Sequence, residues 1–223
     1  MTNQPKQAVT KTRRKRGETR VEILRTVMRL LMQEGPDVIS TTRLAKEVGI
    51  VQSGFYAHFK TIEECLHAVV HEIDVNVRTP LSNSMAQLRL TDASDVDLLE
   101  QFFDELFDTV QNNWSLMELF LHYRGDHSVV GRLIGEFESS LVADLQAHLR
   151  ALQHSDTVEP VFDDMSDLTL SALAHLMMSQ SLVGISQWKS DAISRKMLAR
   201  YLAEQTAHIG KSIEAAQARD RAH

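Results

Sequence analysis

The sequence predicts an all-α protein in two parts, a small N-terminal bundle followed by a larger helical body. Three observations carry that expectation. Apolar residues recur at three- and four-residue spacing through most of the chain, and no segment alternates convincingly as a strand would. Only four prolines and nine glycines interrupt 223 residues, which favours long helices over a strand-and-turn architecture. Charge is also divided unevenly. Residues 1–60 hold twelve Lys/Arg and five Asp/Glu, a balance of +7, while residues 61–223 hold twelve and twenty-five, a balance of −13.

These numbers narrow the function classes. A basic head on an acidic body suits a protein whose head meets a polyanion while its body is repelled by it. A solvated basic tail would explain Lys11 to Arg16 equally well. It does not explain why Arg20, Arg25, Arg29, Arg43, Lys46 and Lys60 extend the excess into patterned sequence. One cysteine, Cys65, excludes an internal disulfide framework and a multi-thiolate metal cage. No run approaches the roughly 18 uninterrupted apolar residues of a membrane span. The basic N-terminus has no apolar segment behind it, so no secretion signal is read. The expected location is the cytoplasm, without membrane partners.

Residues 1–16 are polar, basic and aperiodic, and are expected to form a disordered arm. The first helix begins near Glu18 with Ile23, Val27, Leu30 and Leu31 on one face, and Gly35-Pro36 ends it. A short second helix is expected to be capped by Thr41 or Thr42, to bury Leu44, Ala45 and Val48, and to stop at Gly49. A third fits Gln52 to about Phe59. Thr61 and Glu64 then form a capping box for a helix carrying Leu66, Val69, Val70, Ile73 and Val77, expected to end before Pro80. Residues 80–95 read as a linker with a new cap at Asp92 or Asp95. Five further helices are expected. One carries Leu99 to Val110, a short one spans Trp114–His122, and a long one spans Ser128–Leu152. Another runs from Asp163 to about Gln187, and a last one starts at Ser190 with Asp191 near its positive end. The expected domains are residues 17–66 and 67–223.

Two short helices joined by a glycine turn and packed on a longer first helix make a helix-turn-helix when the third helix keeps a polar outer face. Ile50, Phe55 and Phe59 are its expected buried side. Gln52, Ser53, Tyr56, Ala57 and His58 are left outside. Gln52 can pair bidentately with adenine in a major groove, and Tyr56, His58 and Lys60 can bond phosphate oxygens. The basic arm, with Arg13, Arg14 and Arg16, suits the backbone or a neighbouring minor groove.

The run Thr41-Thr42-Arg43-Leu44-Ala45-Lys46-Glu47-Val48-Gly49-Ile50, then Gly54-Phe55-Tyr56-Ala57-His58-Phe59, then Glu63-Glu64 and Leu66, resembles the TetR family of regulators. Upstream, Ile23-Leu24, Leu31 and Glu34-Gly35 fit the family's first helix. The resemblance covers roughly residues 20–70 and implies a DNA-binding transcription regulator, commonly a repressor. It adds Thr41, Thr42, Arg43 and Gly54 to the expected DNA-facing residues. The chain departs from the family pattern at Val51, where a small polar cap is common, and at Ser53-Gly54. Ile62 stands where many members have a phosphate-gripping lysine, a loss for which the arginine-rich arm would compensate. Gly49-Ile50 through Phe59 also resembles a subgroup that controls unsaturated fatty-acid synthesis and senses acyl-CoA.

For the body, the resemblance implies a homodimer paired through the last two long helices. It would set two recognition helices about 34 Å apart, or a multiple of that, on a near-palindrome. Independently, the segment with Ala172, Ala174, Ser179, Ser181 and Gly184 among six leucines and isoleucines is apolar nearly all round, so it must be covered on several sides. Phe103, Phe107, Trp114, Met117, Phe120, Met177, Met178 and Trp188 are candidates to line a pocket for a small hydrophobic effector, with ordinary core packing as the alternative. Arg124 is either a partner for an acidic ligand head or half of a surface salt bridge.

Two rival classes stay in view. A ligand-free architectural DNA-binding protein would share the basic head but has no need of a large Met-rich body. An enzyme finds little support. Glu64-x-x-His67 is half of a di-iron motif whose second copy is missing, and His67 with His71 lacks a third metal ligand. Cys65 has neighbours that would not activate a thiol. No cofactor and no metal are expected.

Overall fold

The computed structural model describes residues 16–87, 96–153, 165–190 and 193–221. Every regular element among them is helical. The chain divides into two compact units, residues 1–69 and 70–223.

In the first unit, α1 (Arg16–Glu34) is followed by a 3₁₀ turn (Pro36–Val38), α2 (Thr41–Val48) and α3 (Gln52–Tyr56). Helix α4 (Ile62–Ile73) starts here and runs on into the second unit. The core is built from Ile23, Val27, Leu30 and Leu31 of α1, Leu44 of α2, Phe55, Phe59, and Cys65 and Val69 of α4, all buried. α2 is capped by Ser40, not by either threonine: the Ser40 hydroxyl accepts from the Arg43 amide at 3.2 Å. Ser40 also precedes the first apolar-periodic residues and is an equally good N-cap type. α3 is shorter than its apolar spacing suggests, because residues 57–58 form a turn before Phe59 re-enters the core. The Thr61 hydroxyl accepts from the Glu64 amide at 3.0 Å, as expected. The Glu64 carboxylate reaches back one residue further, accepting from the Lys60 amide at 2.6 Å.

The helix after Thr61 does not end before Pro80. α4 passes into a π-helical turn (Asp74–Arg78) and then α5 (Thr79–Gln87), so much of the expected linker is helix. Proline is tolerated within the first turn of a helix. Pro80 has no amide hydrogen for the Asn76 carbonyl four residues earlier. The Asn113 side chain supplies one, its Nδ2 donating to Asn76 O at 3.0 Å and to Thr109 O at 2.9 Å.

The remainder is α6 (Val96–Asn112), α7 (Trp114–Tyr123), α8 (Val129–Gln153), α9 (Asp167–Lys189) and α10 (Arg195–Arg221). The caps expected at Asp92, Asp95, Asp163 and Asp191 fall outside the described residues. α9 is capped by Ser166, whose hydroxyl accepts from the Thr169 amide at 3.2 Å. Ser190 closes α9 instead of opening α10, and Ser194 precedes α10. α10 packs along α6 and α9, and α8 packs along α9. Arg195 pairs with Asp104 and Asp108 of α6, and Arg200 with Asp97 and Glu100. At Gly184 a Cβ would stand 3.0 Å from Leu202 Cδ1, so α9 and α10 meet closely there and a side chain would have to displace the Leu202 tip. Asp167–Lys189 is long and apolar enough to cross a membrane, with a mean hydropathy of 1.4. It instead packs between α8 and α10 through Leu170, Leu173, Ala174 and Ile185.

Asn113→Ala should lower stability by about 1–2 kcal/mol, the cost of stranding a desolvated carbonyl. In a Pro80→Ala background, which restores an amide donor, the loss in urea unfolding should be smaller. Equal losses in both backgrounds would refute this account of the turn.

Candidate nucleic-acid interface and ligand cavity

The first unit's outer face is set by one turn. Gly49 sits at φ 75° and ψ 33°, the left-handed region that a side chain disfavours. Its amide donates to Lys46 O at 3.2 Å and the Ile50 amide to Ala45 O at 2.9 Å, which closes α2 and turns the chain at once. α3 then buries Phe55 and, just beyond it, Phe59. Gln52, Ser53 and Tyr56 stand outside, with Tyr56 53% exposed. Ala57 and Lys60 are also exposed, and Gly54 and His58 half-buried. The Tyr56 and Phe55 rings stand edge-to-face with their centres 5.7 Å apart, which braces Tyr56 on the core while it stays exposed.

Thr41 and Thr42 lie beside this face. Gln52 Nε2 donates to Thr41 Oγ1 at 2.8 Å and lies 3.4 Å from Thr42 Oγ1, which orients the side chain before any partner arrives. Arg43 carries two ion pairs within the unit. It pairs with Glu34 at 2.9 Å and Glu47 at 3.1 Å, and Glu47 also holds Arg29 at 2.8 Å. Its charge is engaged inside the unit. Arg20 lies over the Phe59 ring at 5.1 Å. Arg13 and Arg14 fall outside the described residues, and of Arg16 only the backbone is described, at the start of α1. One residue escaped the sequence reading. Val51, noted only as a missing cap, is 72% exposed at the head of α3. No periodicity rule marks a lone exposed valine, so the sequence held no signal for it.

The second unit encloses a cavity of about 250 Å³. Five of the expected lining residues reach it: Phe103, Met117, Phe120, Met177 and Met178. The other four lie elsewhere. Phe107 is fully buried and packs edge-on against Trp188 at 5.3 Å. Lys189 Nζ sits over Trp114 at 4.3 Å, and Arg124 pairs with Glu138 at 2.7 Å. The π turn and α5 add Val77, Arg78, Leu81 and Met85, and α8 adds Asp144 and His148. Of these, Leu81 and Met85 fall within residues 80–95, for which the sequence predicts a linker. Arg78 is held on both sides, its Nη1 donating to Asp74 Oδ1 at 2.9 Å and its Nε to Asp144 Oδ2 at 2.7 Å. Burial holds the His148 imidazole below the usual histidine range, favouring its neutral form.

Residues weighed for enzyme chemistry have structural partners. Glu64 caps α4, His71 lies 3.7 Å from Asp74, and burial pushes the Cys65 thiol up to about 12. Among the described residues no three His, Cys, Asp or Glu side chains are grouped to hold a metal.

A long first helix, two short helices joined by a left-handed glycine and a polar outer face on the second of them define a helix-turn-helix DNA-binding regulator. Residues 23–69 match the family model described as bacterial regulatory proteins, tetR family. The match covers the head alone and gives it the DNA-binding helix-turn-helix that this family of regulators carries. Solved structures share the fold across both units at low identity. A putative TetR-family regulator from Syntrophomonas wolfei aligns at TM-score 0.68 and 15% identity, covering 88% of this chain and 96% of its own. The regulator FadR from Bacillus subtilis, in complex with stearoyl-CoA, aligns at TM-score 0.61 and 12% identity, covering 84% and 97%. SmeT in complex with triclosan aligns at TM-score 0.61 and 16% identity, covering 86% and 91%. No curated protein sequence matches the chain.

Two measurements check the buried groups. The native protein should leave Cys65 unmodified by a thiol reagent until it is unfolded. The His148 imidazole, followed by NMR, should titrate with a midpoint below the 6.5 of a free histidine. A midpoint at or above that value would mean the ring is solvated.

Proposed function

We propose that this protein is a dimeric repressor that reads a near-palindromic operator with α3 and responds to a small hydrophobic ligand held in its second unit. The observation that carries the first half is the outward face of α3. Gln52 is pre-oriented by Thr41, Tyr56 is braced on Phe55, and neither is needed by the core. Gln52 has the donor and acceptor pair that matches adenine, and Val51 offers an apolar surface for a thymine methyl group. Ser53, Tyr56, His58 and Lys60 supply phosphate contacts that fix register. Arg13 and Arg14, with Arg16, add charge along the backbone.

Pairing is supported by what the second unit leaves uncovered. Leu168, Leu176 and Val183 of α9 are 81%, 55% and 60% exposed, and Met197 and Tyr201 of α10 are exposed as well. Large apolar side chains repeated on one helix pair are the mark of an association surface. A second copy satisfies it with two-fold symmetry.

The effector reading rests on the cavity, whose walls are mostly phenylalanine, methionine and leucine. An architectural protein without a ligand has no use for it. The stearoyl-CoA of the Bacillus subtilis FadR and the triclosan of SmeT are both largely apolar. An acyl-CoA meets a difficulty in this chain, because the one guanidinium lining the cavity is already held by two carboxylates. Ligand occupancy would be felt along α4, which starts in the first unit and ends against the π turn. A ligand acts only through its differential affinity for two states of that helix.

Selection from random DNA should recover a palindrome; recovery without symmetry overturns the dimeric reading. Gln52→Ala should cost about 1–3 kcal/mol against the preferred site and relax one base position. Tyr56→Ala should weaken all sequences alike. Leu176→Glu should yield a folded monomer in sedimentation and abolish operator binding. Removing residues 1–15 should flatten the salt dependence by about 0.9 logarithmic units for each phosphate that the arm neutralises.

A further inference from the structure

We infer that the cavity of the second unit takes a lipophilic cation, an apolar body ending in a protonated amine that shares Asp144 with Arg78. The inference rests on reading that cavity as the effector site and adds the charge of the ligand.

Charge at the cavity's polar side decides the matter. Two carboxylates, Asp74 and Asp144, face one guanidinium, Arg78. Arg78 donates from Nη1 to the first and from Nε and Nη2 to the second, so its fork is occupied. Asp144 and Arg78 line the cavity, while Asp74 stands behind Arg78 with His71 at 3.7 Å. The third ionisable group of the described lining, His148, is buried and favours its neutral form. With both histidines counted as neutral, Asp74, Arg78 and Asp144 together carry one surplus negative charge. An arriving carboxylate or phosphate would have to take Arg78 from Asp144 and would leave three anions around one cation. An arriving ammonium instead brings two cations to two carboxylates, and it needs only to share Asp144, which is accessible over 44% of its side chain. Charge-assisted hydrogen bonds of this kind are the strong ones.

The apolar walls agree. Phe102, Phe103, Phe120 and Phe137 line the same space. Aromatic faces attract cations and do nothing for anions. Met117 and Met177 complete a surface that adapts to an aliphatic body. Among the described lining side chains, Arg78 is the only permanent cation, so an acidic head has no second anchor in this cavity.

The test is calorimetric titration of the full-length protein with three ligands of one length, each below its micelle concentration: decylammonium, decanol and decanoate. Decylammonium should bind about tenfold more tightly than decanol, the worth of one charge-assisted hydrogen bond, and decanoate should bind most weakly. Asp144→Asn should bring decylammonium to the level of decanol. Arg78→Gln, which frees Asp144, should tighten decylammonium, an effect opposite in sign to general damage. Leu145→Trp, which fills the cavity, should abolish all three. Decanoate binding as tightly as decylammonium overturns the cation assignment and leaves a hydrophobic effector standing. Decylammonium binding unaltered by Asp144→Asn or by Leu145→Trp overturns it as well. Failure of all three ligands to bind overturns the effector reading itself.

Discussion

One helix serves two cores, and that constraint orders much of the molecule. α4 buries Cys65, Leu66 and Val69 in the first unit and ends with Ile73 buried in the second. An α-helix rotates about 100° per residue, so its apolar stripe returns every three or four positions. Cys65, Leu66 and Val69 lie on that stripe within the first unit, and Ile73 is buried within the second. The π turn from Asp74 to Arg78 follows immediately. A π turn inserts the equivalent of one extra residue and resets the angular phase, and such insertions gather at functional sites. Here the reset puts Val77, Arg78 and Leu81 on the cavity wall. A helix that simply continued would have met Pro80 with an unpartnered carbonyl at Asn76. The Asn113 amide removes that obstacle and ties the turn to the end of α6.

The same turn explains why the cavity is open rather than collapsed. Protein interiors pack densely, and an apolar space of this size persists only where the surrounding backbone cannot close on it. Two tethers hold the wall. Arg78 joins the turn to α8 through Asp144, and Asn113 joins it to the α6–α7 corner. On the opposite side Gly184 lets α9 lie close against Leu202 of α10, so α9 is fixed by its far face and not by filling the cavity. The methionines at 117, 177 and 178 line a space that rigid branched residues would have tended to fill.

Local patterns made the head legible. Ile23 through Leu31, the Gly35-Pro36 stop, Gly49 and the Phe55/Phe59 pair each follow from spacing or backbone conformation within a few residues, and each stands where the sequence places it. Caps were less secure, because Ser40, Thr41 and Thr42 are all competent and only the geometry of the entering chain chooses Ser40. Pro80 misled for a definite reason. A proline ends a helix unless something else satisfies the freed carbonyl, and that something, Asn113, lies 37 residues from Asn76. The polar side of the cavity was hidden by distance along the chain in the same way: nothing near Arg78 announces Asp144. Phe107 and Trp188 have the chemistry of a pocket but pack on each other. Aromatic content alone does not separate a lined space from a filled one.

The distribution of charge in the head leads to a division of labour. Residues 1–15 carry five of the head's basic residues and no acidic one, while residues 16–60 carry seven basic and five acidic. Within the latter, Arg29 and Arg43 are tied to Glu47 and Glu34. The folded part of the head is therefore close to neutral, and its recognition face is polar, not cationic, apart from Lys60 and the neighbouring Lys46. Long-range attraction to a duplex scales with unpaired charge and is screened over about 8 Å at physiological salt. α3 alone, with isoleucine at position 62 where a lysine would grip phosphate, is poorly equipped to supply it. In the proposed reading, that attraction comes from the five basic residues ahead of α1, and the short helix behind Gly49 discriminates among sequences.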